Sequence, residues 1–290
     1  MNVPAISPYC EMGAYEALWS QKQASFKTIA EKVSQPGAER LSAHVLDSVS
    51  TEFARLALDV IQKAGIKRFG VRVRGSVEFP AGLNDAAHPL ALLYFRGWWE
   101  HLLCTSIAVV GTRKPSDRAI TTTRNLVSEL IRDHEVTIVS GLADGIDTVA
   151  HESALKAKGK TVAVLGTPIH EPFPTKNRQL LEELAQNHLV VSQVPIYRWV
   201  TSPFPSRRFF FPERNVTMSA LTKATVIIEA GETSGTLIQA KAALAQGRKL
   251  FLMDDCFQNA SLAWPARFLG LGAIRVSSAA EIMEHIAHAP

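Results

Sequence analysis

An arginine that directly follows a strand-ending glycine is placed to hold an anion, and this chain carries one at Gly111, Thr112 and Arg113, after the apolar run 107–110. Backbone N–H groups at such a turn can approach an anion unobstructed, and the planar guanidinium fork matches phosphate oxygens bidentately. The structural alternative for Arg113 is an ion pair closing its loop onto Asp117, Asp144 or Asp147. Similar turns recur: VTIVSG runs through Ser140 and Gly141 into LADGID with Gly145 and Asp147, TVAVLG ends at Gly166, and GETSGT contains Ser234, Gly235 and Thr236. A tight strand-to-helix connection explains any one of these turns on geometry alone. Four at one sheet edge surround a crevice lined with phosphate donors.

The chemistry of that crevice is narrowed by what the spacing lacks. There is no GxGxxG and no GxxxxGK[ST], so the usual dinucleotide and P-loop readings lose their support. Asp147 and His151 are four apart and share a helix face if a helix starts near Gly145, which suits a capping pair or acid/base work. No third member is placed to complete a catalytic set, and two such ligands are too few for a metal. We therefore expect no catalytic residue, no metal and no cofactor.

The strongest compositional signal lies at 196–215, where Arg198, Arg207, Arg208 and Arg214 interleave with Tyr197, Trp199, Phe204, Phe209, Phe210 and Phe211 against a single acid, Glu213. Cations beside rings suit the phosphates and bases of single-stranded nucleic acid, with Phe209, Phe210 and Phe211 as stacking candidates. The structural alternative is that these rings anchor a long crossover to the sheet. Lys176 and Asn177, in the loop PIHEPFPTKNRQL, extend the expected basic rim.

The elements that must position these residues are legible as recurrent apolar runs: 106–111, 136–141, 161–166, 189–193, 224–230, 249–253 and a short edge strand at 273–276. Nearly continuous apolar strands predict a parallel sheet covered on both faces. Helices are expected from Asp117 to Arg132 and from about 235 to Gln246, the latter stopped by Gly247. The reading is an α/β chain with an extended Rossmann-like, mostly parallel, doubly wound sheet after a small, mainly helical N-terminal region. Its expected divisions are 1–78 (helical, best seen in EFARLALDVIQKAG), 79–105 (lead-in) and 106–290 (nucleotide- or DNA-binding).

At 290 residues and 47% hydrophobic content the chain can bury a substantial core. A formal charge of +4, from 31 basic and 27 acidic residues, favours anionic partners only weakly. Cys10, Cys104 and Cys256 show no CxxC spacing, which predicts neither a disulfide scaffold nor zinc. No apolar run reaches membrane-spanning length and the N-terminus lacks the pattern of a secretory leader, so a soluble cytoplasmic protein is expected. The segment EIMEHIAHAP is read as the end of the last domain.

The ordered set GTR, SGLADGIDTVAH, TVAVLG, FPTKNRQL, FPERN and EAGETSGTLIQAKAALAQGRKLF, with FPAGLNDAAHPLALLYFRG before it, resembles the DNA-processing DprA/Smf family over roughly residues 79–276. The resemblance implies a cytoplasmic homodimer that binds single-stranded DNA without cutting it, protects it, and helps load a RecA-type recombinase during transformation. It implies anion contacts at Gly111, Thr112 and Arg113, at Ser140, Gly141, Gly145 and Asp147, at Phe211, Arg214 and Asn215, and at Ser234, Gly235 and Thr236. The chain departs from the pattern at Thr112, Asp144, Pro168 and Val216, and losing positive charge there weakens the expected grip on a phosphate backbone. Two alternatives stay open: a nucleotide-binding sensor, and a nucleoside-monophosphate phosphoribohydrolase-like enzyme. In the latter Gln239 stands where a glutamate is expected, leaving Glu229 or Glu232 to substitute. For self-association, Trp264, Phe268, Leu269 and Leu271 are either core or interface.

Overall fold

The computed structural model describes residues 6–287; the two chain ends, 1–5 and 288–290, and the side chain of Phe204 lie outside the described residues. The described chain up to Lys63 is helical, with α1 (Pro8–Trp19), α2 (Phe26–Val33) and α3 (Asp47–Lys63). Ser7 and Ser25 cap the first two through side-chain oxygens, and Ser25 with Thr28 completes a reciprocal capping box. Helix α3 contains the EFARLALDVIQKAG pattern, and Ala54, Ala57 and Ile61 form its buried stripe.

Among the described residues nine strands then build one sheet: β1 (Gly70–Val73), β2 (Leu92–Gly97), β3 (Ser106–Val110), β4 (Thr137–Ser140), β5 (Thr161–Leu165), β6 (Leu189–Ser192), β7 (Ala224–Ile227), β8 (Lys249–Met253) and β9 (Ile274–Val276). Their spatial order is β1-β2-β6-β5-β4-β3-β7-β8-β9. Every pairing from β6 to β9 is parallel, whereas β2 runs antiparallel to both β1 and β6. The chain steps outward from β3 to β6, then returns to the other side of β3 and steps outward again from β7 to β9. The seam between β3 and β7 is thus a topological switch point, where an open α/β sheet leaves a crevice beyond its strand ends.

The connecting helices are α4 (Asp117–His134), α5 (Ile146–Lys156), α6 (Arg178–Asn187), α7 (Ile196–Thr201), α8 (Phe210–Ala220), α9 (Thr236–Ala245), α10 (Trp264–Gly270) and α11 (Ala279–Ala287). Alternate residues of each strand feed opposite faces. Ile107 and Val109 of β3 pack with α4, α5 and α11, while Ala108 and Val110 join the core beneath α1, α8 and α9. Helix α6 covers Ala163, Leu165 and Val190 through Leu181 and Leu184. All seven expected strands form, within a few residues of their predicted ends.

Strands β1 and β2 were not foreseen, and they carry the sheet through the expected divisions at 78 and 105. Tyr94 pairs with Ser192 and Gly97 with Leu189, so the lead-in is continuous with the sheet. The core beneath α1 is likewise shared, joining Tyr15, Trp19 and Phe26 to Tyr94, Trp199 and Phe210.

Candidate nucleic-acid interface

The sequence places Gly111 at the end of β3 and the GETSGT loop after β7, and the sheet order makes those strands neighbours. Between them lies a crevice of about 420 Å³, with Gly111, Thr112, Arg113 and Lys114 on one wall, Thr233 through Thr236 on the other, and Asp147 and Arg214 at its base. The walls are fixed to each other. The Thr112 amide donates to the Glu229 carbonyl at 2.7 Å, and the Thr236 hydroxyl donates to the Gly111 carbonyl at 3.2 Å. Ser234 Oγ donates to Thr236 Oγ1 at 3.0 Å and accepts the Thr236 amide at 3.2 Å, while Asn215 donates to the Gly235 carbonyl at 3.0 Å.

Beneath the walls, Arg214 is buried. Its Nη1 donates to the carbonyls of Gly141 and Val164, at 2.5 and 2.9 Å. Gly141 leaves room for this contact, since a Cβ would stand 1.8 Å from that nitrogen. Gly145 has φ +75°, and a Cβ on it would meet the Thr112 carbonyl at 2.4 Å, so this turn must be glycine for both conformation and space. Burial pushes the Asp147 carboxyl above its ordinary range against the opposing pull of Arg214. Two buried ionisable side chains, Asp147 and Arg214, thus lie at the base of the crevice.

Arg113 resolves the choice left open by the sequence. It is exposed, and among the described residues no ion pair or hydrogen bond engages its guanidinium, so the loop-closing pair with Asp117, Asp144 or Asp147 is not formed. Lys114, exposed on the same wall, is equally unpaired; sequence reasoning passed over it, although it directly follows Arg113. These two cations aim at solvent above a crevice rich in backbone and hydroxyl groups.

Several expected contacts are spent internally instead. Ser140 is fully buried, its hydroxyl donating to the Val109 carbonyl at 2.7 Å. Asn177 is buried, donating to the Leu142 carbonyl at 3.0 Å and to Thr148 Oγ1 at 2.9 Å. Lys176 is exposed but paired with Asp144 at 2.6 Å. Phe210 is a core residue at 1% exposure, packed among Trp19, Phe26 and Trp199, and cannot stack on a base. Phe209 lies stacked against Trp19 with centroids 6.1 Å apart. Arg207 donates to the Ser202 carbonyl at 2.9 Å and sits 5.0 Å over the Trp199 ring. Arg208 is exposed, outside the crevice lining. Of the three phenylalanines, Phe211 is half-buried against the partly exposed Phe173, centroids 5.1 Å apart, a ring the sequence reading did not single out.

The groups considered for catalysis are occupied too. His151 Nδ1 lies 2.8 Å from Thr161 Oγ1, the ring is fully buried, and burial pushes its pKa down to about 3; it makes no bond to Asp147. Glu229 accepts the Ser116 amide and hydroxyl at the start of α4, and Glu232 accepts the Ala263 and Trp264 amides at the start of α10. Gln239 donates to Thr225 Oγ1 at 3.2 Å. Trp264 and Phe268 are core residues, while Leu271 is exposed. Among the described residues no cluster of three or more His, Cys, Asp or Glu is arranged to hold a metal, and no helix is long and apolar enough to cross a membrane.

A doubly wound, Rossmann-like sheet with an anion-suited crevice at its switch point defines the class. Residues 71–287 match the family model described as DNA recombination-mediator protein A, and the chain belongs to that family. It is 32% identical over 212 residues to the DNA processing protein DprA of Bacillus subtilis, covering 73% of this chain and 69% of that one. To DprA of Streptococcus pneumoniae it is 35% identical over 173 residues (60% and 58%), and to the Smf protein of Escherichia coli 35% over 208 residues (71% and 54%). The matched region thus spans about half to two thirds of these relatives. The X-ray structure of the S. pneumoniae DprA superposes with a TM-score of 0.76 at 25% identity, covering 96% of this chain and 98% of that one. A Helicobacter pylori DprA, described for its single-stranded DNA binding mode, shares the fold at a TM-score of 0.63 and 24% identity, covering 76% and 96%.

Proposed function

We propose that this chain binds single-stranded DNA through the crevice between β3 and β7, without cutting it. The observation that carries this reading is the pair Arg113 and Lys114, two exposed cations with no internal partner on the wall of a polar crevice. A guanidinium and an ammonium placed there can each take a backbone phosphate, while the Ser234–Thr236 turn offers hydroxyl and amide donors. The half-buried Phe211 and its neighbour Phe173 supply a ring surface of the kind on which bases stack regardless of sequence. The same proposal extends to protection of the strand, to assistance in loading a RecA-type recombinase, and to action as a cytoplasmic homodimer, as family membership suggests.

The carboxylates considered for a phosphoribohydrolase-like reading are engaged: Glu229 and Glu232 accept backbone amides at helix starts, and Asp147 lies buried near Arg214. Binding without turnover fits these assignments better.

The test is fluorescence anisotropy with single-stranded DNA of several lengths, matched duplex and RNA, at two salt concentrations. Tight, length-dependent and salt-sensitive binding of single strands is the expected result, and recombinase loading is the next assay. No polymer binding at low salt, with retained binding of a mononucleotide, would overturn the proposal in favour of a nucleotide sensor.

A further inference from the structure

We infer that Asp144 is a built-in competitor for DNA phosphate: by holding Lys176 in an ion pair beside the crevice, it limits how many phosphates the site neutralises. This rests on the single-stranded DNA reading and adds to it a residue that sets affinity.

The placement is specific. Lys176 Nζ lies 2.6 Å from Asp144 Oδ1, with the lysine side chain 71% and the aspartate 35% exposed. Asp144 sits between Ala143, which lines the crevice, and Gly145, which packs directly on the Thr112–Arg113 backbone. The pair therefore stands next to the wall carrying the two free cations. Asn177, the neighbour of Lys176, is bonded to Leu142 on the loop that carries Asp144 and to Thr148 in the first turn of α5. The backbone bearing Lys176 is thus fastened to the crevice loop without help from the ion pair. Removing the carboxylate frees the amine and leaves the segment in place.

A carboxylate and a phosphate oxygen are equivalent partners for an ammonium, so a strand reaching Lys176 must displace Asp144. Exposed pairs are weak and open readily. The aspartate therefore acts as a reversible brake. A strand anchored on Arg113 and Lys114 gains little from Lys176 while Asp144 competes, and gains a full contact once it is gone.

The test is Asp144→Asn, which keeps size and removes charge, with Lys176→Ala and the double variant, titrated with single-stranded oligonucleotides across a salt series. Asp144→Asn should tighten binding of oligonucleotides about two- to fivefold at low salt and steepen the salt dependence by about 0.7 in log–log slope, one added phosphate contact. Lys176→Ala alone should stay near the parent, and the double variant should lose the gain. An unchanged or weakened Asp144→Asn would overturn the inference, as would a gain that survives in the double variant, since the benefit would then come from the general field. In DNA-free protein, acetylation of Lys176 by an acyl ester, followed by peptide mass spectrometry, should be faster in Asp144→Asn; equal rates would overturn it also. If the parent protein binds no single strand while Arg113→Ala and Asp144→Asn both leave that result unaltered, the DNA reading itself falls and takes this inference with it.

Discussion

The crevice wall at 111–114 and the segment at 196–215 are made from overlapping residue types, and the fold uses them in opposite ways. On the wall, Arg113 and Lys114 are exposed and without internal partners. In the segment, Arg198 donates to the Trp19 carbonyl at 2.5 Å, Arg207 is held by Ser202 and Trp199, Arg214 is buried, and Phe210 lies in the core. The segment had the stronger compositional signal for nucleic acid, yet most of it fastens the N-terminal helices to the sheet. What separates a cation free to bind a ligand from a structural one here is whether the fold has already given it an acceptor.

The largest expected effect tests that distinction at Arg214, which reads as a phosphate ligand in the sequence and is a buried strut in the structure. Arg214→Ala removes the donor to Gly141 and Val164 and leaves both carbonyls unpaired beneath the crevice. Each buried acceptor left unsatisfied costs about 1–3 kcal/mol, so urea unfolding should show a large loss of stability. A stable Arg214→Ala protein with selectively reduced DNA binding would break the comparison, because Arg214 would then belong with Arg113.

The next effect concerns the fastening of the segment to α1. Glu16 is fully buried, accepts the Ile196 and Tyr197 amides at 2.7 and 2.9 Å and the Tyr94 hydroxyl, and burial pushes its pKa up to about 7. A carboxyl that binds its proton more tightly folded than unfolded stabilises the fold fully below the unfolded value of 4.5, and that contribution is lost as pH rises through about 7. The loss is on the order of 3 kcal/mol between those limits. Glu16→Gln should flatten that fall, measured by urea midpoints from pH 5 to pH 8.5. An identical pH slope in both proteins would show that Glu16 does not govern this junction.

Arg113→Ala should leave the unfolding midpoint unchanged, since nothing in the fold depends on its guanidinium. Binding of single strands should weaken by about ten- to a hundredfold at low salt, as hydrogen bonds to charged groups contribute about 1.5–3 kcal/mol. The salt slope should fall by about 0.7 for one lost phosphate contact. A large affinity loss with the slope intact would mean that Arg113 acts without touching a phosphate.

Much of this architecture was legible because buried parallel strands are nearly continuous apolar runs and their glycine ends mark the crevice edge. Strand β1 escaped because GVRV is short and carries Arg72, which lies over the Phe95 and Trp99 rings, so its pattern does not read as buried strand; LLYFRG of β2 is an apolar run, but it falls in the stretch expected as the lead-in. At the site, Gly111, Thr112 and Arg113 were visible because a turn's chemistry is local in sequence. The internal partners of Ser140, Asn177 and Phe210, which are Val109, Leu142 and Trp19, were not visible because they are distant along the chain. Residue type tells what a group can bind, and only the fold tells what it already binds.

The smallest expected effect is the sharpest on that point. Arg207→Ala removes one hydrogen bond to the Ser202 carbonyl and one contact over the Trp199 ring. A partly exposed cation–π contact contributes about 0.5–1 kcal/mol, so the unfolding midpoint should fall slightly. Single-strand affinity and its salt slope should stay at the parent values, because the guanidinium is turned toward its own segment and not toward the crevice. Arg208→Ala, on an exposed neighbour outside the crevice lining, provides the matched control for loss of one positive charge. If Arg207→Ala reduced affinity and slope as Arg113→Ala should while Arg208→Ala did not, the aromatic segment would be a DNA surface after all, and the bonds that now hold Arg207 would have to open on binding.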